Sequence, residues 1–314
     1  MLDTFLSDID MNRRHDMLRT NRLRELPLHL MLLPAVIIVF IYSYGPMLGL
    51  LIAFQNFNPV HLFTSPWVGL ENFKYILDLP GSLQIVWNTI YIAFLKILGM
   101  IVVPIIFALL LNEVGKRRYK RIFQSIIYMP NFLSWVIMAG VLIDILSPSE
   151  GIVNGFLGMI GMEPIFFLGD PFWFPIIMII SDIWKGFGFG TVIYLAALTS
   201  IDPSLYESAI VDGANRWKQT IFITLPGIMP IVILMSVLSL GNILNAGFDQ
   251  IFNLYSPSVY QTGDVIDTFV YRLGIEQAQY SPAAAVGLFK SVVSFVFVSL
   301  SYFLADRLAN YRIF

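Results

Sequence analysis

Six apolar runs, at about residues 28–54, 84–111, 122–146, 172–198, 227–250 and 283–305, occupy most of this 314-residue chain. A helix of about 20 such residues crosses roughly 30 Å of hydrocarbon. Lipid offers no partner to a backbone N–H or C=O, so spanning runs of this kind must be helical or close into a barrel, and their length selects helices. The chain therefore reads as an all-α integral membrane protein with six transmembrane helices. Charge agrees: 13 % of the residues are charged, against about a quarter in a soluble domain. Because the first run starts only after about 26 residues and is longer than a secretory h-region, it is expected to remain in the protein.

Lys and Arg are unevenly spread. Arg13, Arg14, Arg19, Arg22 and Arg24 precede the first run, and Lys116, Arg117, Arg118, Lys120 and Arg121 follow the second. Arg216 and Lys218 follow the fourth, Arg307 and Arg312 the sixth, while the other loops hold only Lys74 and Arg272. The positive-inside bias then predicts that both termini and the 113–121 and 199–226 loops are cytoplasmic. Next to membrane helices these clusters read as topology signals, and no nucleic acid is expected. The predicted organisation is a cytoplasmic segment at 1–26, a first transmembrane helix at 27–56, an external loop at 57–83, a core of five transmembrane helices at 84–305 containing a cytoplasmic segment at 203–226, and a cytoplasmic tail at 306–314. Leu2, Phe5, Leu6 and Ile9 are spaced for a short amphipathic helix at the inner surface, in contact with membrane lipid, or for a frayed tail. The segment 66–73 of the first external loop is expected to be ordered.

Reaction chemistry is missing from this pattern. There is no cysteine, hence no disulfide, thiolate metal site or thiol nucleophile. The pair Gly115-Lys116 is followed by Arg117 and lacks the upstream glycine of a phosphate-cradling loop. His15, His29 and His61 are far apart, and neither HExxH nor GxSxG occurs. An enzyme is not expected, and no cofactor or metal is expected on this chain.

One polar stretch interrupts the second half, ESAIVDGANRWKQTIFITLP at 207–226. Asp202 can cap a helix that starts at Pro203, and Gly213 suits the left-handed residue that closes one. Asn215 can cap a second helix carrying Trp217, Ile221 and Phe222, so two short helices joined by a bend are predicted. From local chemistry such a helix either lies on the bilayer or enters another protein's groove.

The spacing of Glu207, Ala209, Asp212-Gly213-Ala214, Ile223, Leu225 and Pro226 resembles the EAAxxDGAxxxxxFxxIxLP signature of ABC importer permeases of type I. Ser208 and Thr220 depart from it, Thr220 replacing a phenylalanine whose packing role Trp217 or Phe222 is left to fill. Ser181 to Phe189, Val68 to Phe73 and Gly45-Pro46-Met47 are similar to carbohydrate-importer permeases, and over about 25–310 the chain resembles the subclass for complex oligosaccharides such as alginate and pectin fragments. The resemblance implies a type I permease fold in a bacterial cytoplasmic (inner) membrane. It also implies a heterodimer with a second homologous permease, two ATPase subunits that use ATP and Mg, an extracytoplasmic solute-binding protein and an oligosaccharide moved by alternating access. Glu207, Ser208, Ala209, Asp212, Gly213, Ala214, Leu225 and Pro226 become the candidate ATPase-coupling residues. Another solute, such as glycerol phosphate, or a sensor that does not transport, would keep the same helices.

Polar groups within a span face other helices or a cavity. Ser239, Asn242, Asn245 and Asp249 recur at helical spacing in the fifth run and are expected to form one stripe, serving either helix packing or a sugar path. Asp182 and Lys185, three apart, are expected to share a face and to be able to pair, in a structural role or in contact with substrate, with Trp184 nearby either in the helix core or as a stacking surface for a sugar. Lys96 and Lys290 are the other cations inside the runs.

Overall fold

A computed structural model describes residues 27–61 and 64–309. The expected N-terminal amphipathic helix and the basic residues before 27 and after 309 lie outside the described residues. The described part consists of helices joined by turns and irregular segments, with one isolated bridge, Gln55 to Trp67. In chain order the helices are α1 (Pro27–Phe54), α2 (Glu71–Asp78), α3 (Ser82–Glu113), α4 (Arg117–Tyr128), α5 (Trp135–Leu146), α6 (Ile152–Met159) and α7 (Trp173–Thr199). They continue with α8 (Pro203–Val211), α9 (Arg216–Gln219), α10 (Leu225–Leu240), α11 (Phe248–Leu254), α12 (Tyr260–Gly263), α13 (Ile266–Tyr271) and α14 (Tyr280–Ala309).

Among the described residues, five helices are long and apolar enough to cross a membrane, and six when α4 and α5 are joined as one bent span. α1 changes from α to π geometry at Phe40–Tyr44 and to 3-10 geometry at Gly45–Phe54. Its side chains are apolar on every face, Leu28, Val36, Ile41 and Leu51 among them, as suits a membrane-spanning helix.

In the remainder, α3 packs along α7 and α10 along α14. Gly99 lets α3 come so close to α7 that a Cβ there would fall 2.1 Å from the Ile183 side chain. Such close approach is how membrane helices gain contact energy without a hydrophobic drive between them. Ile92, Met138, Phe174, Met178 and Ile251 form one buried cluster, and Ala108, Tyr194, Leu198 and Ile228 another toward the opposite end of α3 and α7. The segment 66–73 is ordered as expected: Val68 donates to Phe54 O at 2.9 Å, and the Asn72 amide donates to the carbonyls of Ala53 and Gln55 at 2.9 and 3.0 Å.

Two of the apolar runs are broken. The run at 122–146 is bent by 103° between Arg117–Phe132 and Trp135–Leu146. Pro130 cannot donate a ladder hydrogen bond, and Ser134 starts a new helix by accepting from Ile137 N at 3.3 Å. The run at 227–250 stops at Leu240, unwinds over 241–247 and restarts as α11 after Gly247, whose φ of +92° is costly for other residues.

Candidate functional site

The polar stretch folds from its caps outward. Asp202 accepts from Ser204 N at 2.9 Å and Pro203 occupies the first turn, so α8 begins where predicted. Its end is a Schellman closure: Ala214 N donates to Ala209 O at 2.8 Å and Gly213 N to Ile210 O at 3.0 Å, with Gly213 at φ +75°. Asn215 then caps the next helix by accepting from Lys218 N at 2.9 Å.

The second helix is not short, contrary to expectation. α9 runs through a π turn at Thr220–Thr224 into α10, giving one 25-residue span, Arg216–Leu240. Pro226 does not stop it because proline is tolerated in a helix's opening turns, and the π geometry lets the ladder resume at Leu225. The Tyr206 hydroxyl meets Thr224 Oγ1 at 3.0 Å, fastening α8 to that turn. At the departure Thr220, the hydroxyl donates to Arg216 O at 3.0 Å. Trp217 and Phe222 are 72 % and 74 % exposed, so neither fills the missing ring's place inside this chain. Leu205, Ile210 and Val211 are also exposed, with Glu207, Ser208 and Asp212 around them. Pro226 is exposed while Ala209, Ala214 and Leu225 are half-buried.

The Ser204 N–H holds the Asp202 carboxyl below its ordinary range. A depressed folded value means the cap stabilises above the unfolded value of about 3.9 and is lost as pH falls through the folded one. The protection factors of the amides in the first turn of α8, relative to unstructured chain at the same pH, are therefore expected to stay constant throughout the neutral range and to fall only in acid. For Asn215→Ala, a loss of about 1 kcal/mol is expected, read as faster exchange at Arg216 to Gln219 with α8 unaffected.

The second group of candidates lies at the two breaks. An interrupted membrane helix leaves carbonyls without intrahelical donors, and other side chains must serve them. Lys185 does this for the first break: its Nζ donates to Asn131 O at 3.0 Å and lies 5.6 Å from the Trp135 ring centroid. Asp182 instead faces Lys96, with Nζ to Oδ1 at 3.8 Å. The expected Asp182–Lys185 pair is thus corrected: adjacency on one helix face was outweighed by the half-buried Asn131 carbonyl and the buried Lys96 cation on neighbouring elements.

The expected stripe is corrected as well. Ser239 is in α10, Asn242 and Asn245 are in the unwound 241–247 segment, and Asp249 is in α11, so no continuous helix face carries them. The unwinding sorts the segment by polarity: Ile243, Leu244 and Ala246 are buried, whereas Asn242, Asn245 and Asp249 are exposed. Beside it is a cavity of about 160 Å³ lined by Asn242, Gly241, Ser301 and Tyr302 among others. Trp184 is 40 % exposed on α7. Residues that sequence reasoning missed include Gln250, fully buried, whose amide donates to Met178 O at 2.8 Å and Ser181 Oγ at 2.7 Å. A glutamine at the end of an apolar run was the available signal. Lys290 pairs with Asp267, and Arg272 with the buried Asp264. Among the described residues, no group of three or more metal-ligating side chains occurs.

Comparison with known proteins gives this geometry its family. Residues 100–310 match the model of the binding-protein-dependent transport system inner membrane component. Protein LplB of Bacillus subtilis is 38 % identical over 285 residues, covering 90 % of both chains. The polygalacturonan/rhamnogalacturonan transport system permease protein YteP of the same organism is 37 % identical, covering 91 % of this chain and 90 % of its own. A chain from the crystal structure of a bacterial ABC transporter that imports the acidic polysaccharide alginate superposes with a TM-score of 0.84 at 42 % identity, covering 91 % of this chain and 96 % of that one. A family model matching most of the sequence, together with near full-length relatives above 30 % identity, leads to one conclusion: the chain belongs to the inner membrane components of binding-protein-dependent ABC transport systems, as a permease.

Proposed function

We propose that this permease imports oligosaccharides derived from acidic polysaccharides, as one of two related permease chains above a pair of separate ATPase subunits that use ATP and Mg. The observation that carries the reading is the joint between α8 and α9. A Schellman bend, a capped restart and the Tyr206–Thr224 contact join an exposed short helix to a continuous span. A push on α8 therefore reaches the fifth span without passing through a flexible linker. This is what coupling ATP-driven closure to an inward–outward population shift requires. Glu207, Ser208, Ala209, Asp212, Gly213 and Ala214 are assigned to the ATPase contact and Leu225 and Pro226 to the start of the driven span.

The charge bias supports a cytoplasmic α8 and external loops that meet a solute-binding protein, in a bacterial cytoplasmic membrane. The substrate class is supported by the relatives: YteP is named for polygalacturonan and rhamnogalacturonan, and a chain 41 % identical to this one was solved with an alginate pentasaccharide-bound periplasmic protein. Sugar hydroxyls need amides and carboxylates, and ring faces need aromatics. The break at 241–247, with Ser239, Asn242, Asn245 and Asp249, and with Trp184, Asp182 and Lys185 on α7, is assigned to the path.

The cations within the spans are already used by this chain, Lys96 and Lys185 on carbonyls and Lys290 on Asp267. Uronate charge is then recognised mainly by the binding protein or the second permease. Lys290→Met is accordingly expected to reduce uptake of neutral and uronate oligosaccharides by the same factor; a selective loss of uronate uptake would show that Lys290 reads the charge. The substrate class is tested by adding binding protein loaded with uronate oligosaccharides, neutral oligosaccharides or glycerol phosphate to the reconstituted complex and following ATP hydrolysis. A complex that responds only to glycerol phosphate overturns the oligosaccharide reading, and one that binds ligand without hydrolysis points to a sensor.

A further inference from the structure

We propose that Lys96 is a positioning residue for transport, pinning the 241–247 break of the fifth span against α3 and α7 and so setting which of its polar groups face outward. This rests on the reading that the break borders the substrate path. Lys96 is 5 % exposed, in the middle of an apolar helix, where an unpaired cation is strongly disfavoured. Its Nζ donates to Ala246 O at 2.6 Å and to Gln250 Oε1, with the Asp182 carboxylate 3.8 Å away. Three helical elements meet on one ammonium: α3 supplies it, α7 supplies the counter-charge, and the break and α11 supply the acceptors.

The geometry of the break fits around that group. Gly247 adopts φ +92°, and a Cβ there would lie 3.1 Å from Lys96 Nζ, so the chain turns tightly against the ammonium where glycine alone is comfortable. Gln250 extends the connection, its carbonyl taking Lys96 and its amide reaching Met178 O and Ser181 Oγ on α7. Ser181 in turn donates to Ile177 O at 2.6 Å. With the Ala246 carbonyl held inward and Ala246 fully buried, the neighbouring Asn245 is exposed. Losing the pin frees the segment to turn, and Asn242 and Asn245 lose their fixed aspect.

Lys96→Met alone strands Asp182, so the informative variant is Lys96→Met with Asp182→Asn, in which the pin and its counter-charge are both neutral. Because the chain has no cysteine, a spin label at Asn245→Cys, with cysteine-free partner chains, reports the mobility of the break in the reconstituted complex. Uptake is measured separately in the unlabelled double variant. The expected result is an assembled complex with a more mobile label and uptake lowered about tenfold, the scale of losing a local anchor of several polar contacts. Gln250→Met, which removes one strand of the connection and leaves Lys96, is expected to shift both readouts in the same direction by a smaller amount, and decides the matter should the double variant not assemble. An unchanged label spectrum in the assembled variants overturns the pin. A mobile label with full uptake overturns the role in transport: Lys96 then holds the break, but the break does not border the substrate path.

Discussion

Glu207→Lys is expected to leave the chain folded and inserted while uptake falls by about 30-fold or more, the scale of about 2 kcal/mol or above for reversing a charge that the proposed ATPase contact would bury. Glu207 is exposed and makes no salt bridge among the described residues, so the chain itself loses little, within about 0.5 kcal/mol. Gly213→Val tests the same joint from the backbone side. Among the described residues nothing lies within 4 Å of a Cβ built at Gly213, yet its φ is +75°. The cost is then left-handed strain of about 1–2 kcal/mol with no steric clash, which favours opening the bend. Both variants should retain the second permease on co-purification and lose ATPase retention or the coupling of hydrolysis to uptake. Wild-type uptake in both would remove the assignment of α8 to the ATPase.

Asp264→Ala should produce the largest loss of stability. Asp264 is 2 % exposed, accepts from the Thr268 hydroxyl at 2.7 Å and pairs with Arg272. Arg272 in turn lies 4.4 Å from the Tyr260 ring centroid, and its Nη1 is buried with no hydrogen-bond partner among the described residues. Burial, with Tyr260 next in effect, pushes the neighbouring Tyr255 phenol up to about 12, so that group supplies no charge near neutrality. Removing the carboxylate leaves a guanidinium already short of partners without its counter-charge, at a cost of about 3–5 kcal/mol. Thermal unfolding in detergent should show a marked drop for Asp264→Ala and substantial recovery when Arg272→Met is added. If the double variant is no more stable than the single one, the buried charge is not the cause.

The parts of the structure legible in the sequence were those set by local rules. Lipid forces helicity on long apolar runs, and Asp202-Pro203, Gly213 and Asn215 each carry a cap preference strong enough to place a helix end. The caps placed the helix ends of the candidate ATPase segment, while its assignment to an ATPase came from the resemblance of 207–226 to the permease signature. The two breaks were not legible, because Pro130 and Gly247 sit in runs whose apolar character also suits an unbroken helix, and Pro104 and Pro230 lie inside helices that continue. What makes the breaks stable is a set of donors remote in sequence: Lys185 for Asn131, 54 residues away, and Lys96 for Ala246, 150 residues away. The pairing of Asp182 was misread for that reason, since i,i+3 spacing reports only its own helix. Similarly, Thr224 and Tyr206 gave no sign that α9 would run on into the membrane.

The central claim is that α8 transmits ATP-driven motion through a rigid joint into a span bordering an oligosaccharide path. The most direct measurement is ATP hydrolysis by the reconstituted complex of two permeases and two ATPases, with and without binding protein loaded with a uronate oligosaccharide, in wild type and Glu207→Lys. The account predicts a rate that rises with loaded binding protein in the wild type and does not respond in the variant. A variant that responds as fully as the wild type, with equal uptake, would contradict it.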